Sequence, residues 1–261
     1  PHTGRLMTSW RELTAELDLW AENGTVASFW WRDDDAIEPT SELDRLLSLS
    51  DEKDVPVAVA VIPAAARREL RIKLSSDGVD VFQHGYAHQS HGKNSEKKAE
   101  LGNDRPMWDV ASEIAEGRSR MFDIFGAEGW VNVMVPPWNR IDPSIMNLLP
   151  GLGYSGLSTF APRRTAHAPP GLTVVNTHID LIDWRKTRRY AGDDAILSAT
   201  ISHLAAKRQG RADPEEATGL LTHHLSHDEE CWACIQKLIN TISDHASARW
   251  QSAKALFPIH P

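Results

Sequence analysis

Apolar positions along this chain follow two periodicities that take turns. At 8–23 they recur every three to four residues, with Trp10, Leu13, Leu17 and Trp20 on one face. That spacing predicts an amphipathic helix, ended by Asn23-Gly24. At 26–31 they run continuously, as in a short buried strand. Helical spacing returns at 41–53, with Thr40 or Ser41 as N-cap and Leu43, Leu46 and Leu47 facing inward. The nearly all-apolar stretch 55–62 predicts a strand covered on both faces, and Pro63 starts a helix through Leu74. Further strands are predicted at 79–82, 130–135, 156–158, 172–176, 178–182 and 219–222. Further helices are predicted at 109–126, 143–149, 193–209 and 228–244. Strands alternating with helices through short connections predict a parallel sheet. Stretch 92–108 breaks the pattern. It is polar, contains Lys93, Lys97, Lys98 and Gly102, and reads as a long loop over the site. No repeat or linker divides the chain. One domain over 1–261 is expected, with 1–23 as an N-terminal extension helix.

The strands end in chemistry, and α/β barrels place their sites at the C-terminal ends of strands. The first strand opens onto Asp33, Asp34 and Asp35. Adjacent carboxylates repel one another unless a cation is present. In an extended segment Asp33 and Asp35 share a face and Asp34 takes the other, unless a turn intervenes. The strand at 79–82 leads into His84, His88 and His91. Two imidazoles four apart can close on one metal ion, and two His with one Asp fit a catalytic zinc site. The strand at 130–135 meets a stiff turn, Pro136-Pro137-Trp138-Asn139-Arg140, where Pro137 is a candidate cis site. A fourth strand ends in Asp180, Asp183 and Trp184, and a fifth in His223 and His224, with His227 beyond. A histidine beside a carboxylate can act as a general acid. Cys231 and Cys234 fall within a predicted helix, lack a second ligand pair, and read as structural.

Composition narrows the picture. A chain of 261 residues that is 41% hydrophobic can bury a sizeable core. Its net charge of −8, with no conspicuous Lys/Arg run, argues against nucleic acid and anionic membranes as partners. No apolar run approaches the roughly 20 residues that span a bilayer. No basic-then-apolar leader is visible, which points to the cytoplasm. Because the chain begins at Pro1, a removed leader and a natural start at Met7 both stay open. Two cysteines exclude a disulfide scaffold, and ten Trp against three Tyr set several Trp beside the polar motifs, as either core or a sugar-stacking surface.

Taken in order, the acidic run, the HxxxH pair, the PP turn, the Asp-Trp pair and Leu221-Thr222-His223 resemble the five motifs of NodB-type polysaccharide deacetylases. These are carbohydrate esterases built on a distorted (β/α)7 barrel. RDDD, QHGYAHQ and PPWN resemble a divergent branch of that superfamily, and the likeness spans about residues 27–228. It implies Asp34 as catalytic base and Asp35 as metal ligand, with Asp33/Asp34 as the alternative register. It implies His84 and His88 as the other ligands, and Asp183-Trp184 as the pair that orients the catalytic groups and lines the groove. His223 becomes the acid that protonates the leaving amine, with His224 as fallback. Pro137, Trp138, Asn139 and Arg140 fall on the substrate side. The family has an arginine just before its PP turn that steadies the base. Here Met134-Val135 stand there, leaving Arg32 or Arg140 as substitutes.

The expected activity is removal of N-acetyl or other acyl groups from an amino-sugar-containing saccharide. One divalent ion would assist, Zn²⁺ first, then Co²⁺, Mn²⁺ or Ni²⁺. Two alternatives stand beside it. One is hydrolysis of small amides or cyclic ureides on the same barrel. The other is a saccharide-binding module that has lost catalysis with the arginine.

Overall fold

A computed structural model of the protein describes residues 8–92 and 97–258. Met7 and Lys93 lie outside them. The strands are β1 (Ala27–Ala36), β2 (Val57–Val61), β3 (Val79–His84), β4 (Val133–Val135), β5 (Gly156–Leu157), β6 (Thr173–Val174), β7 (Ile179–Asp180), β8 (Thr218–Thr222) and β9 (Ala248–Trp250). The helices are α1 (Trp10–Glu22), α2 (Ser41–Lys53), α3 (Leu70–Lys73), α4 (Met107–Phe125), α5 (Pro143–Met146), α6 (Asp193–Arg208), α7 (Glu229–Ser243) and α8 (Ala253–Leu256). Among the described residues no helix is long and apolar enough to cross a membrane.

The strands pair in parallel in the order β6-β5-β4-β3-β2-β1-β8-β7, and β9 adds to the start of β1. The two ends of that order, β6 and β7, are neighbours in sequence, from Val174 to Ile179. Five residues reach at most about 18 Å. The sheet therefore curls until its edges approach within that reach, which makes the distorted (β/α)7-type barrel.

Alternation along β1 sorts the two layers. Trp30 points inward and packs with Ala58, Ala60, Phe82, Val133, Val135 and Phe257. Phe29 and Trp31 point outward into the helix layer with Leu43, Leu46 and Leu238. Phe257, just after α8, closes the bottom of the barrel, with ring centroids 5.5 Å from Phe82 and 6.0 Å from Trp30. The helix α1 is tied to α6 by Glu16–Arg208 at 2.8 Å.

Several elements differ from the sequence reading. Strand β1 continues through the aspartates instead of stopping at 31, because Arg32 and Asp34 are paired and buried within the sheet. The helix expected from Pro63 to Leu74 is a 3-10 turn, Pro63–Ala65, followed by the four-residue α3. Ala66 between them is extended (ψ 132°), and the Arg67 N–H bonds the Ile37 carbonyl at 2.8 Å. Neither β9 nor α8 was expected. Three and four residues carry too little periodicity to be seen.

Cys231 and Cys234 lie buried on the inner face of α7, where burial pushes their thiols up to about 12 and about 11. Thiols held so far above neutral pH are inert packing groups. The cis peptide among the described residues is Ala168–Pro169, so the Pro136-Pro137 bond is trans.

Candidate metal centre

The barrel interior sets the first two site residues. Arg32 and Asp34 follow Trp30 at alternate positions of β1 and share its inward face. Arg32 is fully buried and grips both Asp34 oxygens, Nε to Oδ1 at 2.8 Å and Nη2 to Oδ2 at 2.9 Å. Its remaining donors reach Ser158 Oγ at 2.6 Å, the Thr159 carbonyl at 3.3 Å and Asn139 Oδ1 at 2.6 Å. A bidentate pair of this kind fixes the carboxylate plane as well as its charge. Of the two substitutes for the missing motif arginine, Arg32 contacts the acid. Arg140 donates to the Lys98 carbonyl at 2.6 Å instead.

Strict alternation would leave Asp35 on the outer face beside Asp33. The chain departs from it there: Asp35 has φ 76°, and the β1–β2 register slips between Asp33 and Ala36. This bulge turns Asp35 inward to join Asp34 at the mouth. The shared face expected for Asp33 and Asp35 is thereby corrected. Asp33 stays on the helix side, fully buried, where it accepts from Thr222 Oγ1 at 2.6 Å, His224 N–H at 3.0 Å and His224 Nδ1 at 2.5 Å.

His84 ends β3 on the inward face shared with Phe82. Its Nδ1 donates to the Val135 carbonyl at 2.9 Å. A carbonyl only accepts, so Nδ1 carries a hydrogen, and Nε2, which faces the carboxylate, is the nitrogen whose lone pair a metal would take. Nε2 lies 3.0 Å from Asp35 Oδ1, and His88 Nε2 lies 3.4 Å from the same oxygen. Ligand atoms of Asp35, His84 and His88 all fall within 4.8 Å of one another. Their donor set, tautomer and open side suit one divalent ion of zinc type. Burial raises the Asp35 carboxyl, but the bond and charge of His84, with the charges of His223 and His88, bring it well below its ordinary range.

The loop carrying His88 is built on close contacts. Gly85 has φ 54°, and a Cβ there would sit 2.0 Å from Glu100 Oε2 and 2.5 Å from Pro137. Glu100, 1% exposed, accepts from the N–H groups of Tyr86 (2.9 Å), Ala87 (2.8 Å) and Gln89 (3.3 Å). His88 itself is left-handed at φ 55°. It packs on Trp138, ring centroids 4.3 Å apart, and Trp138 and Asn139 are left-handed too. His91 does not line the pocket.

The pocket has a volume of about 240 Å³. Asp34, Asp35, His84 and His88 line its floor, and Trp138, Asn139 and Arg140 line one wall. The opposite wall is Asp180, Trp184 and His223. Trp184 Nε1 donates to Asp180 Oδ2 at 2.9 Å, and His223 meets the Trp184 ring edge-on at 4.8 Å. Burial pushes Asp180 up, with His223 opposing it.

Several expected residues lie elsewhere. Asp183 does not face the pocket. It accepts from Arg185 N at 3.2 Å and Lys186 N at 3.1 Å and builds the next turn, so the wall carboxylate beside Trp184 is Asp180. His224 lies outside the pocket on Asp33, so the histidine on the wall is His223. Pro137 is buried beneath the wall against Gly85. The residues passed over were Asp180, at a strand end but superseded by the better-matching dipeptide, and Glu100, hidden in a polar loop.

A second grouping with ligand atoms within 4.8 Å, His178, His203 and Glu216, is buried between α6 and β8. A larger hollow of about 760 Å³, reaching from Gly78 to Lys254, includes neither grouping.

No protein-family profile matches this sequence, and no curated protein resembles it by sequence. Solved structures do. A family 4 carbohydrate esterase from Streptomyces lividans superposes with a TM-score of 0.57 at 16% identity, over 90% of this chain and 98% of that one. A CE4 esterase of Streptococcus mutans gives 0.59 at 12%, over 94% and 92%. The fold is that of the NodB-type deacetylases. The chitin deacetylase of the fungus Colletotrichum lindemuthianum gives 0.57 at 19%, over 91% and 90%, so the deacetylase fold spans nearly the whole chain.

Proposed function

We propose that this chain is a metal-dependent hydrolase that removes N-acetyl groups from an amino-sugar-containing saccharide. The observation that carries the reading is the placement of Arg32-paired Asp34 and of His223 around the Asp35-His84-His88 triad in one pocket. Asp35, His84 and His88 would hold a divalent ion, whose Lewis acidity would polarise the acyl carbonyl. Asp34 takes the proton of the attacking water. Each of its oxygens gives one lone pair to Arg32 and keeps another for that proton. His223 delivers a proton to the departing amine, and Trp184 holds its ring edge-on. Trp138 and Trp184 present apolar faces between which a sugar ring can stack.

The family likeness supports this reading over the two alternatives, and so does Arg32. A module that had lost catalysis with its arginine would not need a buried guanidinium on Asp34. The deciding experiment supplies the metal-loaded protein with acetylated oligosaccharides and small amides and measures acetate and free amine. Acetate from the sugars supports the proposal. Turnover of small amides alone would replace it with the amidase reading, and saccharide binding without acetate release with the binding module.

A further inference from the structure

Strand β1 sends Phe29, Trp31 and Asp33 to the helix side in turn, and the first two join the apolar layer there. A carboxylate in the third place is costly to bury unless it is well bonded. Asp33 is 0% exposed, and the bonds that it accepts come from β8 and from the turn that follows β8. The parallel pairing of the two strands ends at Asp33 and Thr222. Beyond that pair the ladder stops, and His223 leaves the strand at φ −140°, ψ 84°. The Asp33 side chain takes over from the ladder. Its Oδ2 accepts the Thr222 hydroxyl at 2.6 Å and the His224 N–H at 3.0 Å, and its Oδ1 meets His224 Nδ1 at 2.5 Å. Trp31 Nε1 donates to Thr222 Oγ1 at 2.9 Å, so that oxygen accepts there and gives its own hydrogen to Asp33.

His223 is thus flanked on both sides by residues that one carboxylate holds. Its own N–H donates to His227 Nε2 at 3.2 Å, and its ring stands edge-on to Trp184 at 4.8 Å. Asp34, the next residue of β1, turns the other way into the pocket. The strand that carries the base therefore also fixes the seat of the acid.

We propose that Asp33 is a positioning residue for His223. Through Thr222 and His224 it sets the imidazole where a proton can reach the departing amine, in register with Asp34 on the same strand. Asp33 does not line the pocket and touches no reacting atom. This rests on the deacetylase reading. Such a role has a signature that a purely structural one lacks. Breaking an amide C–N bond needs a proton on the leaving nitrogen. Breaking the ester bond of 4-nitrophenyl acetate releases nitrophenolate, which leaves without one. Misplacing His223 therefore slows amide hydrolysis and spares ester hydrolysis, whereas damage to the metal centre, the base or the fold slows both.

The test measures kcat and KM of the metal-loaded protein for tri-N-acetylchitotriose and for 4-nitrophenyl acetate, with bound metal assayed beside them. Asp33→Asn keeps the shape but leaves a single accepting oxygen for the donors of Thr222 and His224. It should lower kcat on the sugar about 10- to 100-fold at unchanged KM, and on the ester less than about threefold. His224→Leu should do the same. His224→Asn, whose amide N–H replaces the one on Nδ1, should keep most of the sugar rate. Asp33→Asn/His223→Ala should be no slower on the sugar than His223→Ala alone, because both changes act through one group. Equal losses on the two probes, loss of metal, a loss confined to KM, or an additive double variant overturns the proposal. Full turnover of the sugar by Asp33→Asn overturns it too. If Asp33→Asn does not fold, the two His224 variants decide by the same comparison. If the parent releases no acetate from the sugar, the deacetylase reading fails separately, and crystal structures of the parent and Asp33→Asn decide. A His223 ring moved off Trp184, with Asp35, His84 and His88 in place, upholds the proposal. An unmoved ring overturns it.

Discussion

Among the described residues two groupings of two histidines and one carboxylate occur, and they differ in what Nδ1 of one histidine does. At the mouth, His84 Nδ1 donates to the Val135 carbonyl, which leaves Nε2 to face Asp35. Between α6 and β8, His178 Nδ1 accepts from the Gly219 N–H at 3.0 Å. A neutral imidazole that accepts on Nδ1 carries its hydrogen on Nε2. His178 Nε2 faces Glu216 at 3.3 Å and has no lone pair to give a metal. Its ring stacks on His203 at 3.6 Å, and the buried Lys207 amine adds positive charge nearby. Burial pushes Lys207 down to about 8 and His203 down to about 2. Equal donor counts therefore conceal opposite chemistry. Backbone partners leave one grouping able to take an ion and the other without an imidazole lone pair on the nitrogen that faces its carboxylate.

The contrast can be broken most directly by metal analysis. His88→Ala should lower bound metal from about one ion per chain to none, whereas His203→Gln should leave it unchanged. Metal lost from the His203 variant, or kept by the His88 variant, would reverse the assignment. Next in size, Asp34→Asn should lower turnover about 10²- to 10⁴-fold at full metal content, read by kinetics beside elemental analysis. Glu100→Gln, which withdraws a charged acceptor from beneath the His88 loop, should weaken metal affinity about 10- to 100-fold in competition with a chelator.

The smallest effect is on stability. The folded His203 value, about 2, lies below the ordinary 6.5, so its neutral form contributes stability that is complete above about 6.5. That contribution drains away as pH falls from there toward 2, at no more than about 1.4 kcal/mol per pH unit. Urea midpoints at pH 7 and pH 5 should therefore converge in His203→Gln relative to the parent.

Much of this was legible in the sequence, and the failures have local causes. Residue types at strand ends placed Asp34, Asp35, His84 and His223 around one pocket, because a parallel barrel brings all its strand ends to one rim. The facing of the three aspartates was not legible. It turns on one left-handed residue, Asp35, in a run where any aspartate could take that role. Choosing Asp183 over Asp180 followed a dipeptide match. The fold instead brings the Trp184 indole back four residues to the strand end. Arg32 looked like the edge of a strand because its partners Ser158 and Asn139 lie more than a hundred residues away. Glu100 was invisible because it acts on backbone N–H groups, which leave no mark in side-chain patterns.

The packing of Trp30, Phe82 and Phe257 makes the barrel a cul-de-sac. Whatever enters at the mouth finds no rear exit. On the proposed reading such a chamber sorts acyl groups by depth, so chains longer than acetyl should be turned over more slowly.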